Sequence, residues 1–264
     1  MLDFNVLANR TRRLLSRRFA HESHHVAAGV TLVNLLLSRG GRTPIARATY
    51  DGWIADLTND PNMSAAYDAA RPLLQTIARA HTPHKVDRYK LDWLGRLAAS
   101  RAHVDIFYVL IRAFRPEIVI ETGVAVGGTT SLILAALSHN GAGALTSVDL
   151  PNAGAMSDRA LAETGILVPQ GYRPRWRLIE GDAALVLPGL LETRRPNIFV
   201  HDSDHTYAQM MLEYALALRH MAPRSLILSD DISVTRAFWD FAEGTGCFAT
   251  AHQLNQAFGV IVTP

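Results

Sequence analysis

Residues 199–232 read FVHDSDHTYAQMMLEYALALRHMAPRSLILSDDI, and the reading of this stretch decides the fold. NIFV is a short apolar strand that runs into His201-Asp202-Ser203-Asp204-His205. SLILS is a second strand that runs into Asp230-Asp231, and TYAQMMLEYALALRHM supplies the helix between them. In a parallel sheet the C-terminal ends of successive strands share one edge, where open α/β folds bind their ligands. Four carboxylates and a histidine then converge at one rim. Unpaired carboxylates repel and isolated buried charges are costly, so the cluster calls for a cation or for hydrogen-bond donors. A hard divalent ion held by oxygen ligands meets that need. Helix capping is the competing account, because Asp and Ser favour the position after a strand. Capping explains Ser203 or Asp231, but not both acidic pairs together with His205.

Outward from this stretch, strands and helices alternate from Pro116 onward. EIVIE, ALTSVDL, WRLIEGD, NIFV, SLILS and GVIV read as strands. GGTTSLILAALSHN, AALVLPGLLE, TYAQMMLEYALALRHM and VTRAFWDFAEG read as helices, the first ending at Asn140-Gly141. Short apolar strands alternating with helices predict an α/β fold with a mainly parallel sheet covered on both faces. Residues 1–110 are helical and irregular, broken at SRGGRTP, NDPN and HTPHK, and Pro72 is expected to bend or divide the helix it occupies. The division is a helical N-terminal extension over 1–95, serving as a lid or in oligomerisation, and a catalytic domain over 96–264.

The 264 residues suffice for one large α/β domain with such an extension. A hydrophobic share of 48% with 19% charged residues describes an ordinary globular protein. The single cysteine, Cys247, excludes an internal disulfide and suits a reducing cytoplasm. No apolar run approaches the ~20 residues that cross a bilayer. RRLLSRR followed by HHVAAGVTLVNLLL imitates a signal peptide, but SRGGR follows where a cleavage site belongs, so it reads as a helix packing on the rest of the chain. Residues 1–115 hold 17 Lys+Arg against 9 Asp+Glu, about +8, and the remainder is about −6. A basic arm of this kind suits nucleic acid or an acidic membrane. Without aromatic interleaving, a solvated helical surface that pairs with the acidic half or with another subunit is favoured, and a homo-oligomer is the expectation.

The turn after the first strand reads Glu121-Thr122-Gly123-Val124-Ala125-Val126-Gly127-Gly128-Thr129-Thr130. Glycine between strand and helix permits a tight turn and a close backbone approach to a ligand. The dinucleotide fingerprint fails because Ala125 stands where its second glycine belongs, and no Gly-Lys-Ser/Thr follows to make a Walker loop. Glu121 repels a phosphate and suits an ammonium group. Asp149 ends the second strand, where a carboxylate accepts both hydroxyls of a ribose, and Asp182 ends the third beside an adenine's place. Ammonium, ribose and adenine together describe S-adenosylmethionine (SAM).

The order E-T-G-V-A-V-G-G, V-D-L, G-D-A, H-D-S-D-H and S-D-D-I over residues 105–264 resembles the class I SAM-dependent methyltransferases. The last two motifs resemble the metal-dependent O-methyltransferase branch, which includes catechol, caffeoyl-CoA and macrocin-type sugar enzymes. The resemblance implies a Rossmann-like, seven-stranded sheet. It implies cofactor contacts from Glu121, Gly123, Gly127, Thr129, Asp149, Asp182 and Asp202, and Mg²⁺ or another divalent cation on Asp202, Asp230 and Asp231. His205 falls where sugar-modifying members have a histidine as candidate base. Asp231 stands where catechol-type enzymes have asparagine, and Ala125 replaces a common glycine. The implied reaction moves a methyl group from SAM to a small-molecule hydroxyl, with the metal lowering the hydroxyl's pKa and His205 taking the proton. Tyr172, Arg173 and Trp176 in the long connection after the second strand, and Arg236 and Trp239 after Asp231, are candidate acceptor contacts, with Trp176 equally suited to the core. His201 is expected to point to the face opposite Asp202.

Three other readings compete. Cephalosporin-hydroxylase-like proteins share the motifs without the assigned reaction. A non-catalytic SAM-binding or RNA-associated module would use the basic arm, and the intact carboxylates speak against it. A nicotinamide dehydrogenase is disfavoured by Glu121 and Ala125.

Overall fold

Seven strands form one sheet in the order β3-β2-β1-β4-β5-β7-β6. They are β1 (Ile118–Thr122), β2 (Ala144–Asp149), β3 (Trp176–Glu180), β4 (Ile198–His201), β5 (Leu226–Ser229), β6 (Phe248–Ala251) and β7 (Gly259–Val262). The computed structural model describes residues 26–80, 101–150, 163–252 and 258–264. β1 to β5 pair in parallel, whereas β7 runs antiparallel to both β5 and β6. Thr122 is in register with Val148 on one side and His201 on the other, and His201 with Ser229. The residues that follow these strands therefore meet at one edge.

The helices are α1 (26–39), α2 (Arg47–Thr58), α3 (Pro61–Ala80), α5 (Gly128–Asn140), α6 (Ala183–Thr193), α7 (Tyr207–His220) and α8 (Ala237–Thr245). Between α3 and α5, α4 joins Arg101–His103, a π-helical stretch Val104–Leu110 and Ile111–Phe114. Strand side chains alternate between two cores, as a period of two requires. Val119, Val200, Leu226 and Leu228 face α1, α2, α4 and α5, while Ile120, Phe199 and Ile227 face α6, α7 and α8. Burial on both faces explains why these strands read as continuous apolar runs.

Leu32, Val33, Leu36 and Leu37 of α1 are buried in the first core, so the apolar stretch that imitates a signal peptide packs as a helix. At NDPN, Asp60 caps α3 by accepting the N–H of Asn62 at 2.8 Å, with Pro61 at the first helical position. α3 continues through Pro72 as one helix rather than dividing there, at the loss of one backbone hydrogen bond. β6 escaped the sequence pattern because all four of its residues are only half-buried at the sheet edge. The HTPHK break, the proposed boundary near 95 and part of the long connection after β2 lie outside the described residues.

Candidate active site

A cavity of about 640 Å³ opens at the C-terminal edge, with Gly123, Asp149 and Asp182 on one side and Ser203, His205 and Gln209 on the other. Gly123 has φ +80°, and a Cβ there would stand 2.0 Å from the backbone oxygen of Asp202. Only glycine permits the turns after β1 and β4 to touch. Ala125 also takes a left-handed conformation, φ 48°, which costs an L-residue about 1 kcal/mol. Hydrogen bonds offset that cost: Asp149 Oδ2 accepts the N–H of Ala125 at 3.0 Å and of Val124 at 3.2 Å, and Ala125 O accepts the N–H of Gly165 at 2.9 Å. Asp149 thus braces the glycine turn while facing the cavity. Asp182 combines two roles, capping α6 through the N–H of Ala184 at 2.8 Å and lining the cavity. Gly127, φ +89°, begins α5, packed against Gly165.

Glu121 is fully buried behind the turn rather than on the cavity wall. Its Oε2 accepts Ser147 Oγ at 2.6 Å and Thr130 Oγ1 at 2.9 Å, and Trp176 Nε1 donates to Ser147 Oγ at 2.9 Å. Oε1 is buried without a partner. Burial pushes the carboxyl up to about 8, against the pull of those hydroxyls.

The acidic motifs separate into different roles. The Asp202 and Asp230 carboxyls stand close enough to influence one another, with the Thr129 hydroxyl beside Asp202. Burial first, and then Asp230, pushes the Asp202 carboxyl well above its usual range; burial and Asp231 push Asp230 up as well. Asp231 adopts φ 48°, and its Oδ2 lies 3.7 Å from His205 Nε2. Asp204 makes an ordinary turn, accepting the N–H and the hydroxyl of Thr206 at 3.1 Å each. The cap of α7 is Thr206, not Ser203, and Asp231 caps no helix, so capping does not account for the acidic pairs. Among the described residues no three His, Cys, Asp or Glu side chains converge in the geometry of a finished metal site. The Asp202–Asp230 pair is nevertheless a hard oxygen donor set in which a cation would relieve the repulsion.

Sequence reasoning missed the hub behind this rim. Glu213 on α7 is fully buried and gathers Thr122 Oγ1 at 2.6 Å, His201 Nδ1 at 2.7 Å, Ser203 Oγ at 2.7 Å and Gln209 Nε2 at 2.8 Å. The signal was present in Gln209 and Glu213, two polar residues one helical turn apart among the apolar residues that precede the basic last turn of the helix. His201 turns away from the cavity, as alternation requires, yet its ring packs edge-on to His205 at 5.4 Å between centroids. Burial and His201 together hold the His205 pKa below its usual value, which keeps the ring neutral and proton-accepting.

The expected acceptor contacts do not gather at the cavity. Tyr172 is buried against Asp60 and His139, Arg173 donates to the Gly165 carbonyl at 3.2 Å, and Trp176 buttresses Ser147. Arg236 pairs with Asp240 at 3.1 Å. Val234 and Leu150, both exposed apolar residues, line the cavity instead. Among the described residues no helix is long and apolar enough to cross a membrane.

Residues 120–232, from β1 to the turn after β5, match the family model of a methyltransferase domain. No curated protein matches the sequence. An O-methyltransferase from Bacillus cereus in complex with SAH is similar at 16% identity and a TM-score of 0.51, over 82% of this chain and 97% of that one. The O-methyltransferase TomG from Streptomyces achromogenes, involved in tomaymycin synthesis and solved with SAM, is similar at 18% identity and 0.51, over 78% and 91%. The SAH-bound methyltransferase PaMTH1 from Podospora anserina is similar at 12% identity and 0.53, over 84% and 97%. These likenesses show a shared Rossmann-like fold, and the matched segment carries both the glycine turn and the acidic strand ends.

Proposed function

We propose that this chain is a SAM-dependent O-methyltransferase that acts on a hydroxyl of a small molecule, with His205 as the base. One observation carries the reading: a single cavity joins the glycine turn, Asp149 and Asp182 to His205. The SAM and SAH complexes among proteins of the same fold support the choice of ligand.

Bound SAM supplies an electrophilic methyl group on a sulfonium centre. Asp149 accepts the ribose hydroxyls, Asp182 borders the adenine, and the turn at Gly123 allows the backbone to approach the ligand closely. His205, neutral and half-buried at the rim, would take the hydroxyl proton, while the oxygen–methyl bond would replace the sulfur–methyl bond and S-adenosylhomocysteine would leave as a neutral thioether. Asp202, Asp230 and Asp231 would hold a divalent cation such as Mg²⁺, whose contribution is to lower the pKa of a coordinated hydroxyl. Val234, an exposed apolar residue after β5, would give the acceptor an apolar border.

Calorimetry with SAM, SAH and NADH, followed by a methyl-transfer screen on catechols and glycosides with Mg²⁺ or EDTA, tests the proposal. SAM and SAH should bind and NADH should not. Binding of NADH in preference to SAH would overturn it.

A further inference from the structure

We propose that a second cavity, at the end of α5 remote from the glycine turn, binds a small organic carboxylate, with the guanidinium of Arg112 as its anchor. The site is separate from the catalytic cavity, and the proposal does not rest on the reading of that cavity.

The second cavity measures about 580 Å³ and lies where α2 and α3 meet α4 and α5. Ala55, Asp56, Asp60, Arg112, His139 and Tyr172 line it. Its volume is of the order of small-molecule sites and far above the space of one or two waters. α5 begins at the glycine turn and its 13 residues end here, so roughly 20 Å of helix lies between the two cavities.

Arg112 is nine-tenths buried and short of partners. A buried guanidinium is costly unless its charge and its N–H groups are met. Its Nη2 donates to Asp56 Oδ2 at 3.3 Å and its Nη1 to Asn140 Oδ1 at 3.4 Å. Both contacts are longer than a charge-assisted bond, which runs to about 2.9 Å. Nε is buried with no partner. The Trp53 ring, its centroid 5.1 Å from Cζ, adds a cation–π contact but no acceptor.

The two carboxylates of the cavity stand differently toward this cation. Asp60 is committed to the N–H groups of Asn62 and Met63, the Tyr172 hydroxyl and His139 Nε2, which hold it ionised and leave it little capacity for a ligand. Asp56 is half-exposed on α2 and reaches Arg112 only at long range. It stands in for the ligand's carboxylate, and displacing it costs little because exposed ion pairs are weak. A free carboxylate can meet the planar fork with two parallel bonds, which suits Arg better than any point charge does. The volume left beside Ala55 and the Tyr172 ring takes the organic part, so the site is larger than an inorganic ion requires.

The test is NMR of the full chain with ¹⁵N-labelled tryptophan, titrated separately with succinate, benzoate, inorganic phosphate and ethanolamine. The Trp53 indole, identified through Trp53→Phe, reports on Arg112. Succinate or benzoate should shift it saturably. Asp56→Ala removes the competing carboxylate and should tighten that binding about twofold to fivefold, the scale of an exposed ion pair. Arg112→Lys keeps the charge without the fork and should weaken it about tenfold or more. Because that change is buried and the variant can fail to fold, Ala55→Trp, at an exposed position on α2, fills the cavity instead and should abolish binding. A Trp53 signal indifferent to both carboxylates would overturn the proposal, as would a response to phosphate or ethanolamine alone. Weaker binding in Asp56→Ala would show that the site attracts a cation, and unchanged binding in Ala55→Trp would place the carboxylate elsewhere; either result also overturns it.

Discussion

The Oδ2 of Asp149 accepts the N–H of Ala125 at 3.0 Å, and this bond ties the end of β2 to a left-handed alanine in the turn after β1. One carboxylate therefore shapes the turn and faces the ligand. Asp149→Ala should weaken SAH binding by about 1.5–3 kcal/mol, the scale of hydrogen bonds to a charged group, or about 10- to 150-fold in Kd. Calorimetry reads the change, and unaltered affinity would remove Asp149 from the site.

Glu121 predicts a pH effect on stability. Its folded pKa of about 8 lies above the ordinary 4.5, so the folded chain keeps a proton that the unfolded chain releases. The associated stability is complete below pH 4.5 and is lost as pH rises toward 8. Asp202, also pushed up, acts in the same direction, so the comparison must isolate Glu121. The Tm of Glu121→Gln should fall less between these limits than that of the wild type. Parallel Tm curves would show that Glu121 does not hold its proton in the folded state.

His205→Ala should lose about 10²–10⁴-fold in kcat, the range for a positioned base, with SAH affinity intact. The acid limb of the wild-type pH–rate profile should vanish with it. Near-normal turnover in the alanine variant would leave proton removal to another group.

Mg²⁺ should raise the Tm of metal-stripped protein, because a cation relieves the charge repulsion that Asp230 exerts on Asp202 in the folded state only. Asp230→Asn should abolish that shift and leave SAH binding nearly unchanged. A wild-type Tm indifferent to millimolar Mg²⁺ would assign the acidic pair another purpose.

Asp60 anchors α3 to the sheet-bearing part of the chain through the hydroxyl of Tyr172 and through His139 Nε2 at 3.0 Å. Burial alone would raise its pKa, yet these bonds and the N–H groups of Asn62 and Met63 hold it at about 2. Its contribution is therefore present above pH 3.8 and lost as pH falls toward 2. Asp60→Ala should cost about 2–4 kcal/mol, from the lost cap and the buried partners it strands. Chemical denaturation measures this, and a loss below 0.5 kcal/mol, the range of ordinary surface changes, would contradict it.

The sheet was legible because β1, β2, β4 and β5 are buried on both faces and leave uninterrupted apolar runs. β6 was not, since an edge strand of half-buried residues lacks that signature. Within the site, the positions of Gly123, Asp149, Asp182 and His205 followed from strand ends alone, because parallel register brings strand ends together. The depth of Glu121 and the assembly around Glu213 did not follow. Both depend on which hydroxyls a buried carboxylate meets across the sheet, and Ser147 and Thr122 announce nothing of that in one dimension. Tyr172 and Trp176 misled for a related reason: aromatic residues in a long connection suit a ligand or a core equally well.

At Gly123 the turn after β1 meets the backbone of Asp202 after β4 with no room for a side chain. β1 to β3 carry most of the residues assigned to the cofactor, Asp202 after β4 being the exception, while the turns after β4 and β5 carry those assigned to the metal and the proton. No side chain fits between the two turns, so no rotamer change there can lengthen or shorten the gap. On the proposed function, the spacing between methyl donor and receiving oxygen would be set by main-chain geometry, as a fixed gauge. Evolution could then exchange the apolar border at Val234 to admit a new acceptor without recalibrating that gauge.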